Sequence, residues 1–188
     1  VFFGGAGVST ESGIPDFRGA NGFYFQEREI PLETVLSIDF FTQHPEAYWE
    51  WFHEIYRPVE PNGAHMTLAA LEGAGLLDAV ITQNIDGLHQ RAGSRSVWEL
   101  HGNWERLVCT ACGSVAALRD AVTVDGDPVP ACPLCGGQMR PDIVMYGESL
   151  DEAVIEAAVS AIARASTLIV AGTSLVVYPA AGLINYFS

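Results

Sequence analysis

Short, continuously apolar runs recur along the chain and are separated by stretches with helical periodicity. Runs of this length without polar alternation are typical of strands that are buried on both faces of a sheet. We predict such strands at residues 1–4, 79–82, 97–100 and 168–172. Apolar strands that alternate with helices indicate an α/β fold, with a parallel sheet covered by helices on both faces.

The segment 149–166 predicts the clearest helix. Val154, Ala158 and Ile162 recur there at helical spacing. Acids occupy its first turn and Arg164 lies near its end, so the charges at both ends complement the helix dipole.

Two stretches interrupt the alternation of strands and helices. Residues 20–62 carry an aromatic-rich helical pattern, and residues 103–140 contain all four cysteines. We interpret both as insertions between strands of one sheet. The predicted division assigns 1–19, 63–102 and 141–188 to the sheet domain, 20–62 to a helical module and 103–140 to a cysteine-bearing module.

The composition limits the size and class of the protein. At 188 residues, 49% of them hydrophobic, the chain can bury one substantial core with a small satellite domain. It has no run of about 18 apolar residues and no secretory leader, which predicts a soluble, cytoplasmic protein without a membrane partner. All nine basic residues are arginine, against 23 acidic residues, and the formal net charge is -14. A negative field of this size repels nucleic acid, although we interpret the acidity mainly as compositional bias.

Both ends of the chain predict a truncated fragment of a longer protein. The chain starts without Met inside an apolar run at Val1, and it stops soon after Pro179, which suits the first turn of a helix. A helix in an α/β chain normally leads to another strand. We therefore expect terminal strands of the sheet to be lacking.

The first candidate site is the glycine-rich segment at residues 4–19, directly after the first predicted strand. Glycines let a backbone approach a phosphate group closely, and N–H groups at a following helix terminus can bind it. The dehydrogenase fingerprint is not present, because Thr10 occupies the position of the third glycine. A structural loop and a dinucleotide site are equally consistent with the glycines alone. The nearby Ser9, Asp16 and Arg18 favour the dinucleotide.

Polar side chains also follow the second and third predicted strands. Thr82, Gln83, Asn84 and Asp86 lie at the carboxyl edge where open parallel sheets bind ligands. Any one of them alone is typical of a helix cap or an Asx turn, but the group together favours a ligand site. His101 follows the third strand, and histidine can take up a proton near neutral pH. We expect structural or surface roles for the other histidines, His44, His53, His65 and His89.

The four cysteines have the spacing of a tetrathiolate zinc site. They form two CxxC pairs, Cys109 with Cys112 and Cys132 with Cys135, and each pair is followed directly by glycine. Two disulfides are disfavoured in a chain without a secretory signal, and thioredoxin-like redox chemistry needs only one such pair. Because four thiolates leave no coordination position for water, we predict a structural zinc ion.

Six motifs, in their order and with roughly their spacing, resemble those of the sirtuins, which are NAD-dependent protein lysine deacylases. They are GAGVSTESGIPDFRG, TQNIDGLH, ELHG, the paired CxxC motifs, RPDIVMYGE and GTSLVVYPAAG, and together they span nearly all of the chain. The resemblance implies a Rossmann-like NAD-binding domain and a small domain formed by a zinc ribbon and a helical module. Substrate peptide and NAD would meet in the cleft between the two domains.

The resemblance also implies roles for individual residues. The catalytic residues would be His101, as the base, and Asn84. The cofactor would be bound by Gly5, Ala6, Gly7, Ser9, Asp16, Phe17, Arg18, Gln83, Asn84, Asp86, Gly172, Thr173 and Ser174. The acyl-lysine peptide would pair as an added strand with Ile143, Val144, Met145, Tyr146 and Gly147. The zinc ligands would be Cys109, Cys112, Cys132 and Cys135.

In the implied reaction, NAD is a co-substrate rather than a hydride carrier. The acyl oxygen of the acyl-lysine attacks the ribose carbon as nicotinamide leaves, and His101 then deprotonates a ribose hydroxyl that attacks the resulting imidate carbon. Water then completes the reaction, which releases free lysine and O-acyl-ADP-ribose. Gly4 departs from the Thr or Ser usual in the family. Neither Tyr48 nor Tyr56 is followed three residues later by Arg, the pattern of members that remove acidic acyl groups, so we expect acetyl or another uncharged short acyl group.

Two other function classes remain open. A mono-ADP-ribosyltransferase would use the same NAD loop with a different acceptor, and the presence of His101 argues against it. A non-enzymatic zinc ribbon that binds nucleic acid would carry basic and aromatic residues around the metal. Residues 109–140 contain only two arginines against Asp120, Asp125 and Asp127.

Overall fold

The computed structural model of the chain describes residues 1–16, 22, 30–121 and 127–188. The chain divides into two compact units. The first comprises residues 1–26, 58–101 and 150–188, and the second comprises residues 27–57 and 102–149.

The described residues form seven strands and six α-helices. The strands are β1 (Phe2–Gly4), β2 (Val80–Thr82), β3 (Val97–Glu99), β4 (Gly102–Cys109), β5 (Val115–Ala117), β6 (Met139–Ile143) and β7 (Ile169–Ala171). The α-helices are α1 (Leu32–Val35), α2 (Ile38–Gln43), α3 (Pro45–Ile55), α4 (Gly63–Gly73), α5 (Leu88–Arg91) and α6 (Glu152–Arg164). Within this part of the chain, no helix has both the length and the apolar character that crossing a membrane requires.

The first unit contains a four-stranded sheet in the order β3-β2-β1-β7, and every strand is parallel to its neighbours. Phe2 lies opposite Val80 on one side and Ile169 on the other. The four strands lie where the apolar runs predict them, and the parallel α/β sheet is confirmed.

The order of the strands reverses direction at β1. The chain adds β2 and β3 on one side of β1 and then crosses over to add β7 on the other side. Open α/β sheets bind ligands at such a reversal, outside the carboxyl ends of the strands. The topology therefore predicts a ligand site at the loops that follow β1 and β7.

Helices cover both faces of this sheet around β1, β2 and β3, but all three residues of β7 are exposed, so the predicted burial of that strand is wrong. Leu68 of α4 packs in an apolar cluster with Val80, and Val97 of β3 lies against the same cluster. Because successive strand residues point to opposite faces, Trp98 faces the other side. There it lines a surface cavity together with Ala161 of α6.

Helix α6, Glu152–Arg164, lies within the predicted helical segment 149–166. The Asp151 carboxylate accepts hydrogen bonds from the N–H groups of Ala153 and Val154, so the helix starts one residue after this cap. Arg164 occupies the last turn, where a positive charge complements the helix dipole.

The second unit joins the helical stretch to the cysteine-bearing strands. Its sheet is antiparallel, in the order β5-β4-β6. Helix α3 buries Tyr48, Trp49 and Phe52, and the Phe52 ring meets Trp104 of β4 edge-on, with 6.3 Å between the ring centroids. An aromatic core therefore connects the helices with the strands.

The boundary after β6 differs from the one we drew from the sequence. Residues 141–149 fall in the second unit, whereas the sequence-based division assigned them to the sheet domain. The reason is long-range pairing, because Ile143 pairs with Gly102 in the antiparallel sheet. The Tyr146 backbone is likewise hydrogen-bonded to the turn between α1 and α2.

Candidate active site and zinc centre

Sequence-predicted residues follow all four strands of the parallel sheet at its carboxyl edge. These residues are Gly5, Gly7 and Ser9 after β1, Gln83, Asn84 and Asp86 after β2, His101 after β3, and Gly172 and Thr173 after β7. They belong to the first unit, and their hydrogen bonds connect the strand ends to one another.

Gly7 and Gly172 bring the loops after β1 and β7 into direct backbone contact. The Gly7 N–H donates to the Gly172 carbonyl oxygen at 2.8 Å. A Cβ atom at position 7 would lie 2.9 Å from the Gly172 Cα atom, well inside ordinary carbon–carbon contact. Gly172 has a φ of 65°, which favours glycine. Bare backbone at this edge suits close approach of a phosphate group.

Ser9, Asn84 and Asp86 form a buried network of hydrogen bonds at the same edge. The Ser9 hydroxyl donates to Asp86 Oδ2 at 2.5 Å, and Asn84 Nδ2 donates to Ser9 Oγ at 3.0 Å. Asp86 Oδ1 also accepts from the Leu88 N–H at the start of α5, at 3.0 Å. These contacts hold three polar side chains in one orientation, as a preorganised ligand site requires.

Gln83 connects β2 to the other three strand ends. Its N–H donates to the carbonyl oxygen of Gly4, and its Nε2 donates to Thr173 Oγ1, both at 3.0 Å. Its own carbonyl oxygen lies 2.8 Å from Nδ1 of His101. Thr173 Oγ1 accepts a further hydrogen bond from the Leu175 N–H. Gln83 thus fixes the loops after β3 and β7 relative to β2.

The hydrogen bond to Gln83 determines the tautomer of His101. A carbonyl oxygen can only accept, so Nδ1 carries the proton and the neutral ring keeps a free electron pair on Nε2. Burial lowers the pKa of His101, and the hydrogen bond to the Gln83 carbonyl opposes that shift only in part. His101 is therefore neutral near pH 7, with Nε2 able to act as a base.

Three of the other predicted cofactor residues are described, and two are not. Ala6 begins a short 3₁₀ turn, Asp16 is half-buried, and Ser174 is exposed. Phe17 and Arg18 lie outside the described residues.

The sequence-based prediction of the site does not include Asn62. Its Nδ2 donates to the Val8 carbonyl oxygen in the glycine loop at 2.8 Å, and its Oδ1 caps α4 by accepting from the Ala64 N–H. The Asn62 N–H donates to His65 Nδ1, which completes a capping box. The cap is readable from the local sequence, but the bond to Val8 joins residues 54 positions apart.

His65 and His89 form a fully buried pair in the first unit. Their ring centroids are 4.7 Å apart, and both nitrogens of His89 lack a hydrogen-bond partner among the described residues. Burial, and then the neighbouring His65, lower the pKa of His89 to about 4, although Asp86 acts in the opposite direction. Both rings are neutral near pH 7, because burial also lowers the pKa of His65.

The predicted peptide-binding residues continue from β6 in the second unit and end in a turn, where Gly147 has a φ of 95°. Ile143 ends β6, and Met145 is buried three residues before Glu148. The Tyr146 N–H donates to the Leu36 carbonyl oxygen at 2.9 Å, and its carbonyl oxygen accepts from the Ile38 N–H at 3.0 Å. Residues 143–147 thus lie alongside the turn between α1 and α2.

The four cysteines form one cluster whose geometry fits a tetrahedral zinc ion. All four Sγ atoms lie within 4.8 Å of one another. Sγ of Cys109 is 3.5 Å from that of Cys135, and Sγ of Cys112 is 3.8 Å from that of Cys132. Zinc–sulfur bonds of about 2.3 Å in a tetrahedron separate the sulfur atoms by about 3.8 Å. The residues present therefore fit a closed, structural zinc site.

Comparison with known proteins agrees with these features. The model of the Sir2 family matches residues 5–179 of the chain. An NAD-dependent protein deacetylase of Clostridium acetobutylicum is 52% identical over 191 aligned residues, which cover 100% of this chain and 78% of that protein.

Two solved structures extend the comparison to the fold. A Sir2 complex with a p53 peptide and NAD⁺ has a TM-score of 0.86 and 46% identity, covering 98% of this chain and 75% of that one. A Sir2 complex with a deacetylated p53 peptide and 3'-O-acetyl ADP ribose has a TM-score of 0.88 and 46% identity, with the same coverage. With its parallel sheet, its strand-end site and its cysteine cluster, this chain belongs to the Sir2 family.

Proposed function

We propose that the protein is an NAD-dependent protein lysine deacetylase that transfers the acyl group to ADP-ribose and releases nicotinamide. The observation that carries this proposal is the state of His101, whose Nδ1–H is donated to Gln83 while Nε2 remains a free base. The relatives named as deacetylases and the Sir2 complexes with peptide, NAD⁺ and acetyl ADP ribose support it.

Different residues of the first unit would bind the dinucleotide, position its ribose and transfer a proton. The glycine loops after β1 and β7 would present bare backbone to the dinucleotide. Ser9, Asn84 and Asp86 are held in one orientation and would position the ribose that reacts. His101 would then accept a proton from a ribose hydroxyl. Phe17 and Arg18 are proposed to complete the cofactor site.

The second unit would bind the acyl-lysine peptide and one structural zinc ion. Residues 143–147 would pair with the backbone of the peptide as an added strand. The zinc ion would be held by Cys109, Cys112, Cys132 and Cys135 and would stabilise the strands that carry these cysteines. We propose the cytoplasm as its location, where thiols stay reduced and free to bind metal.

Mass spectrometry after incubation with NAD and an acetyl-lysine peptide tests the proposal. We expect the peptide to lose its acetyl group and O-acetyl-ADP-ribose to form in equal amount. Gain of ADP-ribose on a protein acceptor, without loss of acetyl, would identify a mono-ADP-ribosyltransferase instead.

Acyl-chain preference can be measured with a panel of peptides. We expect acetyl-lysine to be deacylated faster than succinyl-lysine, because neither Tyr48 nor Tyr56 has the arginine that would pair with an acidic acyl group. Tyr56 instead donates its hydroxyl to Glu105 at 3.1 Å.

Nucleic acid is not among the proposed partners. Of the two arginines in the cysteine-bearing segment, Arg140 is paired with Glu148 and Arg119 lies 3.9 Å from Asp120. A gel-shift titration should show no tight, salt-sensitive binding.

A further inference from the structure

The stretch from Ile143 to Glu148 leaves the sheet, so something other than a β-ladder must fix its backbone. On one side, Tyr146 is hydrogen-bonded to Leu36 and Ile38. Gly147 makes no backbone hydrogen bond to another described residue. A segment that is to pair with an incoming peptide needs a defined conformation before the peptide arrives, because ordering it on binding would cost affinity.

An ion pair closes this segment into a loop. Arg140 Nη1 lies 2.6 Å from Glu148 Oε1, and Arg140 Nη2 lies 2.6 Å from Oε2, so the pair is bidentate. The two residues are eight positions apart and bracket the segment. Both side chains are largely shielded from solvent, with exposures of 19% and 25%, so solvent screens this pair less than an ordinary surface pair.

The same two side chains also hold the backbone inside the loop. Arg140 Nη2 donates to the Ile143 carbonyl oxygen at 2.9 Å, and Glu148 Oε2 accepts from the Met145 N–H at 2.9 Å. The Glu148 N–H donates to the Met145 carbonyl oxygen at 3.0 Å. Both polar groups of the Met145 backbone are thus bound to Glu148.

Packing and charge keep the pair in place. The Arg140 guanidinium lies 5.9 Å from the centroid of the Phe41 ring, at a distance typical of cation–π contact. Burial by itself would raise the pKa of Glu148, but the hydrogen bonds from Arg140 and Met145 outweigh it and lower that pKa. Glu148 is therefore ionised near pH 7 and remains bound to Arg140.

We propose that Arg140 and Glu148 are positioning residues that preset the backbone of residues 143–147 for the acyl-lysine peptide. Their side chains hold this backbone by hydrogen bonds. The backbone N–H and C=O groups of Gly147 remain available to pair with an added strand. The inference rests on the proposed deacetylase function, since the occupant is its peptide substrate.

The test compares Glu148→Ala with a matched control, Asp142→Ala. Asp142 forms an ion pair with Arg106 at 2.8 Å, which connects β6 to β4 in the same unit. Initial rates are measured against acetyl-lysine peptide at saturating NAD and against NAD at saturating peptide. We expect Glu148→Ala to raise the KM for peptide about tenfold, as expected for loss of hydrogen bonds to a charged group, with the KM for NAD changed less than twofold. Asp142→Ala should leave both KM values within twofold.

Arg140→Lys provides a second variant in case Glu148→Ala does not fold. Lysine keeps the charge but lacks the fork that reaches both carboxylate oxygens and the Ile143 carbonyl. A severalfold rise in the KM for peptide alone supports the proposal. An unchanged KM for peptide in a folded variant, or an equal rise in both KM values, overturns it because the pair would then have only a general structural role.

A measurement of peptide binding without turnover tests the positioning role independently of the proposed deacetylase activity. Fluorescence anisotropy with a labelled acetyl-lysine peptide reports binding without turnover. If the wild-type protein binds the peptide but does not deacetylate it, the proposed function is wrong, and tenfold weaker binding by Glu148→Ala still supports the positioning role. Equal binding by wild type and Glu148→Ala, or no binding by the wild type, overturns it.

Discussion

At the scale of single residues, the site depends on which atom of each side chain carries a proton or points at a neighbour. His101 is the clearest case, because its Nδ1–H is committed to Gln83 and only Nε2 is available for proton transfer. Asn62 is another, since one end of its amide caps a helix and the other binds the glycine loop. Substitutions at these positions should therefore separate catalysis from stability.

His101→Ala should lower the deacetylation rate by about 10²–10⁴-fold, the usual contribution of a general base. The cost in stability should be only about 1 kcal/mol, because one hydrogen bond to Gln83 is lost. Initial rates and urea unfolding measure the two effects. His53→Ala is the control, since His53 is exposed on α3. A His101→Ala protein with near-normal turnover would rule out the proposed base.

The pH profile of kcat/KM should reflect the lowered pKa of His101. A base works only when neutral, so activity falls as pH drops through its pKa. Burial places that pKa below the ordinary 6.5, and we expect the acid limb of the profile to have its midpoint below pH 6.5. A midpoint at or above pH 6.5 in the wild-type profile would contradict this assignment.

Asn62→Ala should raise the KM for NAD severalfold and lower stability by about 1 kcal/mol, because a helix cap and the bond to Val8 are both lost. Asp151→Ala is the matched control, as it removes the cap of α6 without a described contact to the glycine loop. It should cost similar stability and leave the KM for NAD unchanged. Equal KM values for NAD in both variants would argue against a role for Asn62 in shaping the loop.

At the scale of secondary-structure elements, the antiparallel sheet of the second unit is too small to be stable alone. Strand β5 has three residues and β6 has five, and the turn between β4 and β5 meets the turn before β6 at the four cysteines. Small sheets of this kind commonly depend on a bound metal, because binding free energy contributes directly to folding. The zinc ion therefore has a structural role at this scale.

Removing zinc with a chelator, or replacing Cys109 by Ser, should lower the melting temperature and abolish deacetylation indirectly. Circular dichroism and metal analysis before and after treatment measure both changes. Adding zinc back to the chelated wild type should restore activity, while the Cys109→Ser protein should recover little. Chelated protein that stays folded and active would show that the structural interpretation of the metal is wrong.

At the scale of the whole molecule, buried histidines couple folding to pH. His89 has a pKa of about 4 in the folded chain, against about 6.5 when unfolded. Between these values the unfolded chain binds a proton that the folded chain does not, so stability is lost as pH falls from 6.5 towards 4. His65 shifts in the same direction, and Asp86 opposes both shifts.

Urea unfolding at about pH 7.5 and about pH 5 measures this coupling. These two pH values lie on either side of about 6.5, the pKa of histidine in the unfolded chain. The full contribution of His89 is on the order of 3 kcal/mol, since one pKa unit corresponds to about 1.4 kcal/mol. His89→Leu cannot take up a proton and should lose less stability between the two pH values than the wild type does. Comparing the two proteins cancels the contributions of carboxylates and zinc ligands, and equal losses would exclude His89 as the cause.

The amino-acid sequence by itself determined the features that depend on local spacing. Apolar runs located the four parallel strands, and the two CxxC pairs located the cysteine cluster that the structure assembles. Motif order was enough to indicate the family. These features need only short-range periodicity, or a few residues whose chemistry allows few alternatives.

Only the tertiary structure decided which way the side chains of the site point and what they bind. Gln83 reaches three other strand ends, Asn62 binds Val8, and Glu148 binds the backbone of Met145 while it pairs with Arg140. The boundary after β6 also follows from pairing with a strand far away in sequence. Such contacts depend on chain crossovers and rotamers that no local pattern encodes, because the partners become neighbours only when the core packs.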